Sequence, residues 1–532
     1  MLSLDKATWK AGWSKKELTP FRTPLVMMGW GDEHNIARSQ FTPLNARAIH
    51  LTQAQTEFYY LYLEICYITH YLHRLICEKA IDQGLIKDSS QIQMSASHTH
   101  SGPGGINEHL YYEVPTPGLQ KDVIERIVEV SLEVLKASKE NSEKARIYYA
   151  ERDFPEETPV AFNRSMSSYL RNQEIDNPKT ANPKNAIDRT MSQWNIIREN
   201  DHAIINWFGV HGTCLSKNRN EYHFDNKGYA CQYMEEYLGE GSMAIFAQAS
   251  AGDVTPHNVF DATMSESRGD LILEDKYAQK NGKLQQELAV EIFKDRSIEL
   301  NGPMYFTKHK ADFSKLEVGG LYTVGASFGV AMIQGTKEGP GIPTALAIVL
   351  KAVVRFSKMI RMIFSSSEQK KQLERYYAAQ GNKDVFINAD AKELLGFKIR
   401  KKVRLISLVD PVIKKMNQLL ATAEYGEKST WLDQQSYYSL MVWGSHAIVA
   451  LPFEVSSMAS RRLKSVVKKL HPEVKSVTIN GYCYSYMGYL LTPEEYENQL
   501  YEGGHSVFGK WLLPNIAHLL EKQSEVLYRD RL

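Results

Sequence analysis

Runs of alternating or continuous apolar residues predict a series of short strands, several of which end at a glycine. Residues 92–96 alternate between apolar and polar side chains, whereas 202–210 and 243–249 are largely apolar. Period-two alternation is typical of a half-buried strand, and a short apolar run bounded by glycine or proline is typical of a buried one. Similar runs predict further strands at 46–51, 58–65, 146–150, 304–311, 439–452 and 476–482, the fifth of them a hairpin.

Apolar residues that recur at intervals of three and four predict the helices. The clearest case is 121–138, where valine, isoleucine and leucine line one side and charged residues the other. Strands that alternate with such helices indicate an α/β fold, with a mixed β-sheet core flanked by helices. The same spacing predicts helices over 70–84, 228–238, 283–297, 456–469 and 511–528.

The segment 345–364 differs from these helices because it is largely apolar and yet carries four basic residues, which would make a membrane-spanning helix costly. A basic amphipathic helix that lies on an anionic bilayer fits the pattern, and a half-buried cap helix fits it as well. Residues 366–425 are mainly polar, so we predict a divergent helical insertion over 342–435, within a domain formed by 1–341 and 436–532. The basic residues are Lys351, Arg355, Lys358 and Arg361.

Composition and charge narrow the classes of protein to which the chain can belong. It has 532 residues, of which 43% are hydrophobic and 23% charged, so it is long enough for a large core. Its formal net charge of +1 lacks the basic excess of nucleic-acid-binding proteins. The five cysteines are scattered without a CxxC motif, which indicates reduced thiols. We see no signal peptide and no clean transmembrane span, so we expect a cytoplasmic or peripheral membrane protein, with secretion by another route still open.

The strand at 92–96 leads into the sequence His-Thr-His-Ser-Gly-Pro-Gly-Gly at 98–105. Side chains two residues apart on a strand point the same way, so His98 and His100 should face one ligand. Neutral imidazole is the commonest zinc ligand and also transfers protons near neutral pH. Taken alone, His-x-His is more often a polar strand end with two surface histidines.

Two later segments repeat this arrangement of a polar side chain at a strand end. The buried strand at 202–210 ends in His211 and Gly212, and the hairpin at 439–452 delivers Glu454 just before a helix. Zinc needs three or four ligands from separate elements, so these residues strengthen the prediction of a metal site. Glu454 would also be unremarkable as an acidic residue at a helix N-terminus.

Other segments offer less specific candidates. Arg164 could stabilise an oxyanion from a buried position, although a surface loop arginine is the simpler interpretation. A hydroxyl residue in the turn 250–257 could be a nucleophile or a hydrogen-bond donor to substrate. A turn that precedes a proline explains the same residues without a catalytic role.

Together these motifs resemble the N-terminal catalytic domain of the neutral/alkaline (non-lysosomal) ceramidases. The resemblance is specific because it contains the whole string at 98–105 and keeps the other motifs in order, over most of 8–340 and 436–528. The matching segments are 27–29, 97–105, 163–165, 210–213, 225–229, 252–256, 339–341 and 452–454, followed by Tyr489, 494–496 and 501–503.

The resemblance implies a zinc-dependent amidohydrolase of sphingolipid metabolism, which cleaves the N-acyl amide bond of ceramide or a related N-acyl lipid. It implies one zinc ion per chain. It also implies four catalytic residues, three near the scissile carbonyl as oxyanion stabilisers or proton donors, and Thr255 at the position of a serine that is the family's nucleophile or substrate-contacting hydroxyl. The zinc ligands implied are His98, His211, Glu454 and Tyr489, and the catalytic residues are His100, Arg164, Thr255 and Tyr501.

Three departures from the family pattern keep alternatives open. The family usually has serine where this chain has Thr255, and threonine adds a methyl group and stiffens χ1. The family normally continues into a C-terminal immunoglobulin-like domain, which we expect this chain to lack. Residues 342–435 match poorly and could instead contact a membrane surface through 345–364. A catalytically weak or inactive lipid-binding homologue is therefore one alternative, and an amidase for a non-sphingoid N-acyl substrate is another.

Overall fold

The computed structural model of the protein describes residues 9–257, 270–399, 411–422 and 430–531. Two β-sheets lie face to face in the middle of the molecule, and helices cover the outer side of each sheet. This four-layer α/β arrangement confirms the predicted fold class of a mixed β-sheet core flanked by helices.

The strands of the described residues follow in chain order. They are β1 (Trp9–Glu17), β2 (Leu25–Met28), β3 (Ile36–Ala37), β4 (Ser39–Gln40), β5 (Asn45–Gln53), β6 (Thr56–Leu63), β7 (Ile92–Ala96), β8 (Gly102–Pro103), β9 (Glu143–Asp153), β10 (Phe162–Asn163), β11 (Thr190–Ile197), β12 (His202–Phe208), β13 (Glu221–Tyr222), β14 (Met243–Gln248), β15 (Val254–Thr255), β16 (Ile298–Glu299), β17 (Met304–Asp312), β18 (Glu317–Val318), β19 (Leu321–Tyr322), β20 (Ser327–Gly329), β21 (Val385–Asn388), β22 (Glu393–Leu394), β23 (Phe397–Lys398), β24 (Gln435–Trp443), β25 (His446–Ala450), β26 (Glu454–Val455), β27 (Ser476–Asn480) and β28 (Tyr489–Leu490).

The α-helices of the same residues range from one turn to more than five. They are α1 (His70–Asp82), α2 (Leu110–Glu113), α3 (Lys121–Glu140), α4 (Met166–Tyr169), α5 (Asp225–Leu238), α6 (Leu271–Lys294), α7 (Val330–Ile333), α8 (Thr344–Phe364), α9 (Ser367–Gln380), α10 (Pro411–Leu420), α11 (Ser457–Leu470), α12 (Pro493–Glu497), α13 (Tyr501–His505) and α14 (Leu512–Arg531).

The larger sheet has the strand order β14-β12-β11-β9-β1-β5-β6-β7, with β16 paired to β9. Most neighbours are antiparallel, but β6 runs parallel to β7 and β12 runs parallel to β14. The smaller sheet has the order β17-β24-β25-β27, and its last pair is also parallel. The strands β7, β12 and β25, which lead to His98, His211 and Glu454, each belong to one of these parallel pairs.

A core rich in tryptophan joins the two sheets. Trp9 and Trp194 of the larger sheet lie 4.6 and 5.3 Å, between ring centroids, from Trp443 of the smaller one. All three rings are buried together with Trp207. Aromatic rings at these separations bury large apolar areas in specific relative orientations, so they fix how one sheet sits on the other.

The outer helices bury the apolar sides that the sequence predicts. In α3, buried positions recur at helical spacing and pack against β1 and β5, while α5 and α6 cover β9, β11 and β14. Helices α11 and α14 cover the smaller sheet. The helix predicted over 283–297 is longer: it begins at Leu271, directly after the capping residue Asp270. Its buried side carries polar residues such as Asn281 and Gln285, so apolar spacing does not reveal its full length.

The predicted insertion over 342–435 is a mixture of helices and strands. Helix α8 covers the unusual apolar segment as one continuous helix, and β21, β22 and β23 extend a small sheet that starts with β20. Buried residues of the segment, such as Val354 and Leu394, belong to the same core cluster as the smaller sheet. Residues 400–410 and 423–429 lie outside the described residues. Within the described chain, no helix has the length and apolar character needed to cross a bilayer.

Candidate functional site

The candidate site lies where strands of both sheets end. His98 follows β7 and His211 follows β12, both in the larger sheet, whereas Glu454 follows β25 of the smaller sheet and begins β26. Each of the preceding strands is paired in parallel with a neighbour, so the carboxyl ends of several strands meet at this edge. All three side chains are buried.

The ligand atoms of these residues converge on one point. Nε2 of His211 lies 3.1 Å from Oε2 of Glu454, and Nε2 of His98 lies 3.8 Å from Oε1 of the same carboxylate. All three ligand atoms lie within 4.8 Å of one another. A tetrahedral zinc ion with bonds of about 2.0–2.1 Å separates its ligand atoms by about 3.3 Å. Two imidazoles and a carboxylate at these separations fit a zinc ion.

Backbone carbonyls orient both imidazoles for this role. Nδ1 of His98 is 2.8 Å from the carbonyl oxygen of Cys66, and Nδ1 of His211 is 2.9 Å from that of Val254. A carbonyl can only accept, so each Nδ1 carries the proton and each Nε2 presents its lone pair. Burial also lowers the pKa of His98 to about 4, which keeps its imidazole neutral near pH 7.

Two tyrosines hold the carboxylate of Glu454. The hydroxyls of Tyr482 and Tyr486 donate to its two oxygens, at 3.1 Å in the case of Tyr482. Both oxygens of the group therefore accept hydrogen bonds, as those of a carboxylate do.

The two histidine motifs lie against each other through their backbones. Thr99 forms a parallel bridge with Gly212, and the amide of His100 donates to the carbonyl of Gly212. His98 has φ +66°, a left-handed conformation that costs free energy for a residue with a Cβ. A Cβ at Gly212 would lie 2.4 Å from the carbonyl oxygen of His98, so only glycine permits this approach.

His100 lies beside the three converging residues. Its Nε2 is 3.3 Å from Nε2 of His98, and its ring packs edge-on against Trp30. Burial lowers the pKa of His100 well below its usual value. A Cβ at Gly29 would lie 2.4 Å from its ring, so the backbone of Gly29 forms one wall of its pocket. The sequence correctly predicts that His98 and His100 face one point, although the chain leaves the strand before reaching them.

Cys66 offers a thiol close to the same histidines, since its Sγ lies 3.8 Å from Nδ1 of His98. Burial, with the nearby charge of Glu454, raises the pKa of Cys66 well above its usual value. The thiol lies beside the nitrogen of His98 that donates to the Cys66 carbonyl, and not beside Nε2, which presents the lone pair. The donor set with His98, His211 and Glu454 is therefore the better fit for zinc.

Arg164 is almost fully buried at the site and is held by several acceptors. Its Nε donates to Glu502 at 2.9 Å, and its Nη2 donates at 3.0 Å both to the carbonyl of Gly252 and to the Tyr489 hydroxyl. Burial acts to lower the pKa of Arg164, but Tyr489 and the nearby carboxylates outweigh it and raise the pKa. The alternative of a surface loop arginine is thus wrong, because the side chain is 7% exposed.

The rings of Tyr489 and Tyr501 lie next to each other beside Arg164. Tyr489 pairs with Glu454 in the parallel β26–β28 bridge, which places the two side chains side by side. The ring centroid of Tyr501 is 5.7 Å from that of Tyr489, and the guanidinium of Arg164 lies 5.8 Å from the Tyr501 ring. Burial raises the pKa of both hydroxyls, so both are protonated near neutral pH.

Thr255 lies in β15, directly after the residue whose carbonyl orients His211. Its side chain is fully buried, and its hydroxyl donates to Oε1 of Glu338 and accepts from the amide of His257. The hydroxyl of Thr255 therefore both donates and accepts a hydrogen bond within the protein.

Several residues of the site are not predicted from the sequence. Tyr482 and Tyr486 lie in a tyrosine-rich stretch that the sequence shows, but no spacing rule connects them with Glu454. Glu338 immediately precedes the motif 339–341 and Glu502 lies within 501–503, each before a glycine, and only the fold brings them next to Arg164. The glycines were a usable signal of close backbone approach.

Comparison with known proteins identifies what this arrangement is similar to. The family model described as neutral/alkaline non-lysosomal ceramidase, N-terminal, matches residues 9–403 and 411–518. The match therefore includes most of 342–435, a segment that lies outside the motifs of the resemblance.

Individual relatives and solved structures agree with the family match. The chain is 23% identical over 545 residues to a neutral ceramidase of Pseudomonas aeruginosa, covering 99% of this chain and 73% of the relative. Neutral ceramidase A of Dictyostelium discoideum is 24% identical over 463 residues, covering 79% of this chain and 58% of the relative. The crystal structure of the Pseudomonas aeruginosa neutral ceramidase has a TM-score of 0.77 at 21% identity, covering 99% of this chain and 75% of that one.

Proposed function

This chain belongs to the neutral/alkaline non-lysosomal ceramidase family, and on that premise we propose that it hydrolyses the N-acyl amide bond of ceramide or a related N-acyl lipid. Water is consumed, and a fatty acid and an amine are released. The observation that carries the proposal is the convergence of the lone pairs of His98 and His211 on the carboxylate of Glu454.

We propose that one zinc ion per chain binds to His98, His211 and Glu454, with Tyr489 as the fourth ligand. The pairing of Tyr489 with Glu454 supports this assignment, as does the pair of Nδ1–carbonyl hydrogen bonds that directs both Nε2 atoms to one point. When bound, zinc acts as a Lewis acid toward the amide carbonyl and lowers the pKa of water at the site to about 7.

The remaining residues act on the substrate carbonyl in this proposal. Arg164 is a permanent cation next to the Tyr489 hydroxyl, and Tyr501 presents a protonated hydroxyl from the same side. Donors fixed in this way stabilise the negative charge that develops on the carbonyl oxygen, by about 3–4 kcal/mol each in the barrier. Nε2 of His100 lies 3.3 Å from Nε2 of His98, so an imidazole that can donate or accept a proton faces the same space as the proposed zinc ligands.

Metal analysis combined with fatty acid release tests the proposal. The purified protein should contain one zinc per chain and release fatty acid from ceramide, and a chelator should abolish the release. His98→Ala and Glu454→Ala should each remove both the zinc and the activity. His50→Ala is the matched control, because it removes an equally buried imidazole elsewhere in the larger sheet and should keep both.

The other outcomes separate the alternatives. Full activity of the metal-free protein would contradict the zinc assignment. Binding of ceramide without release of fatty acid would identify an inactive lipid-binding homologue. Release from non-sphingoid N-acyl compounds alone would identify an amidase with a different substrate.

We also propose that α8 lies on the surface of an anionic lipid bilayer, which makes the protein peripheral to a membrane. Nine of the 18 large apolar side chains exposed on the described residues lie on this helix. Its opposite side, with Ala347 and Val354, is buried against the protein. The outer face of α8 consists of Leu346, Ile348, Val349, Val353, Phe356, Met359, Ile360, Ile363 and Phe364.

The charges of α8 support an anionic lipid surface. The helix carries no acidic residue, and a surface helix with an apolar face and a basic flank is typical of proteins that lie in the plane of a bilayer. Two of its four basic residues are engaged within the protein, since Arg355 pairs with Asp384 and Arg361 pairs with Glu393. Lys351 flanks the outer face, and no acidic partner for it is found among the described residues.

Vesicle binding tests this surface. Ile348→Asp/Ile363→Asp should weaken binding to phosphatidylcholine vesicles that contain phosphatidylserine by at least about tenfold, because each aspartate would have to enter the bilayer. Leu271→Asp/Ile272→Asp is the matched control, since it places the same charges on exposed apolar positions of α6. Lys351→Glu should weaken binding to these vesicles more than to pure phosphatidylcholine.

A second copy of the chain is the competing occupant of the outer face. Sedimentation analysis distinguishes the two, because the α8 variants should leave the oligomeric state unchanged. Variants that dissociate an oligomer while vesicle binding stays the same would reject the membrane proposal.

A further inference from the structure

Glu338 reaches the site from the segment between α7 and α8. Its side chain is 1% exposed, and its Oε1 accepts hydrogen bonds from the hydroxyls of Thr255 and, at 3.3 Å, Thr213. Its Oε2 lies 3.6 Å from Nη1 of Arg164. One carboxylate therefore connects two hydroxyls on one side with a guanidinium on the other.

The guanidinium of Arg164 is enclosed from three directions. Glu502 accepts from Nε, Gly252 and Tyr489 accept from Nη2, and Glu338 faces Nη1. The guanidinium is planar, so acceptors on all of its edges fix both its position and its plane. Of these groups, only Tyr489 is also proposed to bind the metal.

The segment that carries Glu338 is a tight turn packed against the site. Gly335 and Pro340 form an antiparallel bridge, and a Cβ at Gly339 would lie 3.0 Å from the ring of Trp30. Trp30 in turn packs on His100. Glu338 is thus delivered by a tight turn that rests on the wall of the site.

We propose that Glu338 is a positioning residue which, held by Thr255 and Thr213, fixes the guanidinium of Arg164 beside Tyr489. In this arrangement Thr255 acts through Glu338 and does not attack the substrate. The role needs a hydroxyl and tolerates the additional methyl group, which fits a threonine at a position where the family usually has serine. The kinetic part of the test rests on the proposed function, whereas the structural part does not.

A double-mutant cycle provides the kinetic test. Glu338→Gln keeps a hydrogen-bond acceptor but loses the charge that faces Arg164, and Thr255→Val removes the hydroxyl at nearly constant volume. Each should lower kcat by an order of magnitude or more with little change in KM, because displacement of a fixed group by about 1 Å can cost about 100-fold. The double variant should have a kcat no lower than that of the more impaired single variant. Thr255→Ser keeps the hydroxyl that Thr255→Val removes, so its kcat should stay near that of the wild type.

Asp201→Asn is the matched control, since it removes the charge of a carboxylate paired with Arg198 at the end of β12 away from His211 and should leave kcat unchanged. Effects of Glu338→Gln and Thr255→Val that multiply would overturn the proposal, and so would a fully active Glu338→Gln. An acyl-enzyme trapped on Thr255 would overturn it as well.

Crystal structures of the same variants provide a readout that needs no turnover. In Glu338→Gln and in Thr255→Val, the guanidinium of Arg164 should leave its 3.0 Å contact with the Tyr489 hydroxyl. A guanidinium that stays in place in both variants refutes the positioning role, whatever the activity. If the wild-type protein releases no fatty acid but Arg164 moves in the variants, the proposed function fails and the positioning role stands.

Discussion

Each imidazole of the candidate zinc site is fixed through the nitrogen that it does not offer to the metal. The acceptors are the backbone carbonyls of Cys66 and Val254, which stand far from His98 and His211 in sequence. The sequence predicts the histidines themselves, because each follows a strand and precedes a glycine turn. It cannot predict their acceptors, because every residue has a carbonyl and only the fold decides which one faces Nδ1.

A substitution at Gly29 tests how tightly the ring of His100 is enclosed. The residue has φ +124°, and a Cβ there would meet the ring of His100 at 2.4 Å. We expect Gly29→Ala to displace the ring and lower kcat by on the order of 100-fold while the zinc content stays the same. Steady-state kinetics and metal analysis of the same preparation measure the two quantities.

Gly31→Ala is the control for Gly29→Ala. Gly31 also has a positive φ, +63°, but a Cβ there would meet nothing within 4 Å. It therefore places an alanine at a positive φ without the clash, and its kcat should stay near that of the wild type. Equal losses in the two variants would attribute the effect to strain and not to the pocket of His100.

At the scale of elements, prediction from sequence worked where the buried side is apolar and failed where it is polar. Helix α3 shows regular apolar spacing and lies close to its predicted bounds. The first half of α6 escaped notice because its buried positions include Glu274 and Asp275. Short strands such as β21 and β22 were also missed, since two to four residues carry too little periodicity to distinguish strand from loop.

A buried lysine in α5 gives this helix a predictable pH dependence. Lys227 donates to the carbonyl of Phe208 and to Gln285, and burial lowers its pKa to about 7. The unfolded chain has the ordinary lysine pKa near 10.4, so between these values it binds more protons than the folded protein. The contribution of Lys227 to the free energy of unfolding should therefore rise with pH, by up to about 1.4 kcal/mol per unit.

Urea unfolding of the wild type and of Lys227→Gln between pH 6 and pH 9 measures this contribution. The stability difference between the two proteins should shift in favour of the wild type as the pH rises. Lys276→Gln, which removes a lysine of α6 whose side chain is exposed, should show no such trend. A difference that is constant with pH would show that Lys227 remains charged in the folded protein.

At the scale of the whole molecule, the site exists only because two sheets are stacked in one relation. His98 and His211 follow strands of the larger sheet and Glu454 follows a strand of the smaller, and Glu454 lies 243 positions after His211 in the chain. The motifs predict strand ends, but strand order and sheet stacking arise from long-range packing that no local pattern encodes. The family resemblance supplied the ligand set that local patterns left open.

The tryptophan core between the sheets should therefore control the zinc affinity from a distance. Trp443→Ala removes the ring that Trp9 and Trp194 contact, and it should cost about 3–5 kcal/mol of stability. Because the cavity lies between the sheets, relaxation around it shifts the strands that carry His98 against those that carry Glu454. We expect the zinc dissociation constant, measured by competition with a chelator under conditions where the protein remains folded, to rise by at least about tenfold.

Leu135→Ala separates this effect from a general loss of stability. Leu135 is fully buried between α3 and the larger sheet, and its truncation should cost about 2–5 kcal/mol without touching the interface between the sheets. The zinc affinity of this variant should stay near that of the wild type. If both variants weaken zinc binding equally, the affinity follows overall stability, and sheet stacking has no separate influence on the ligand geometry.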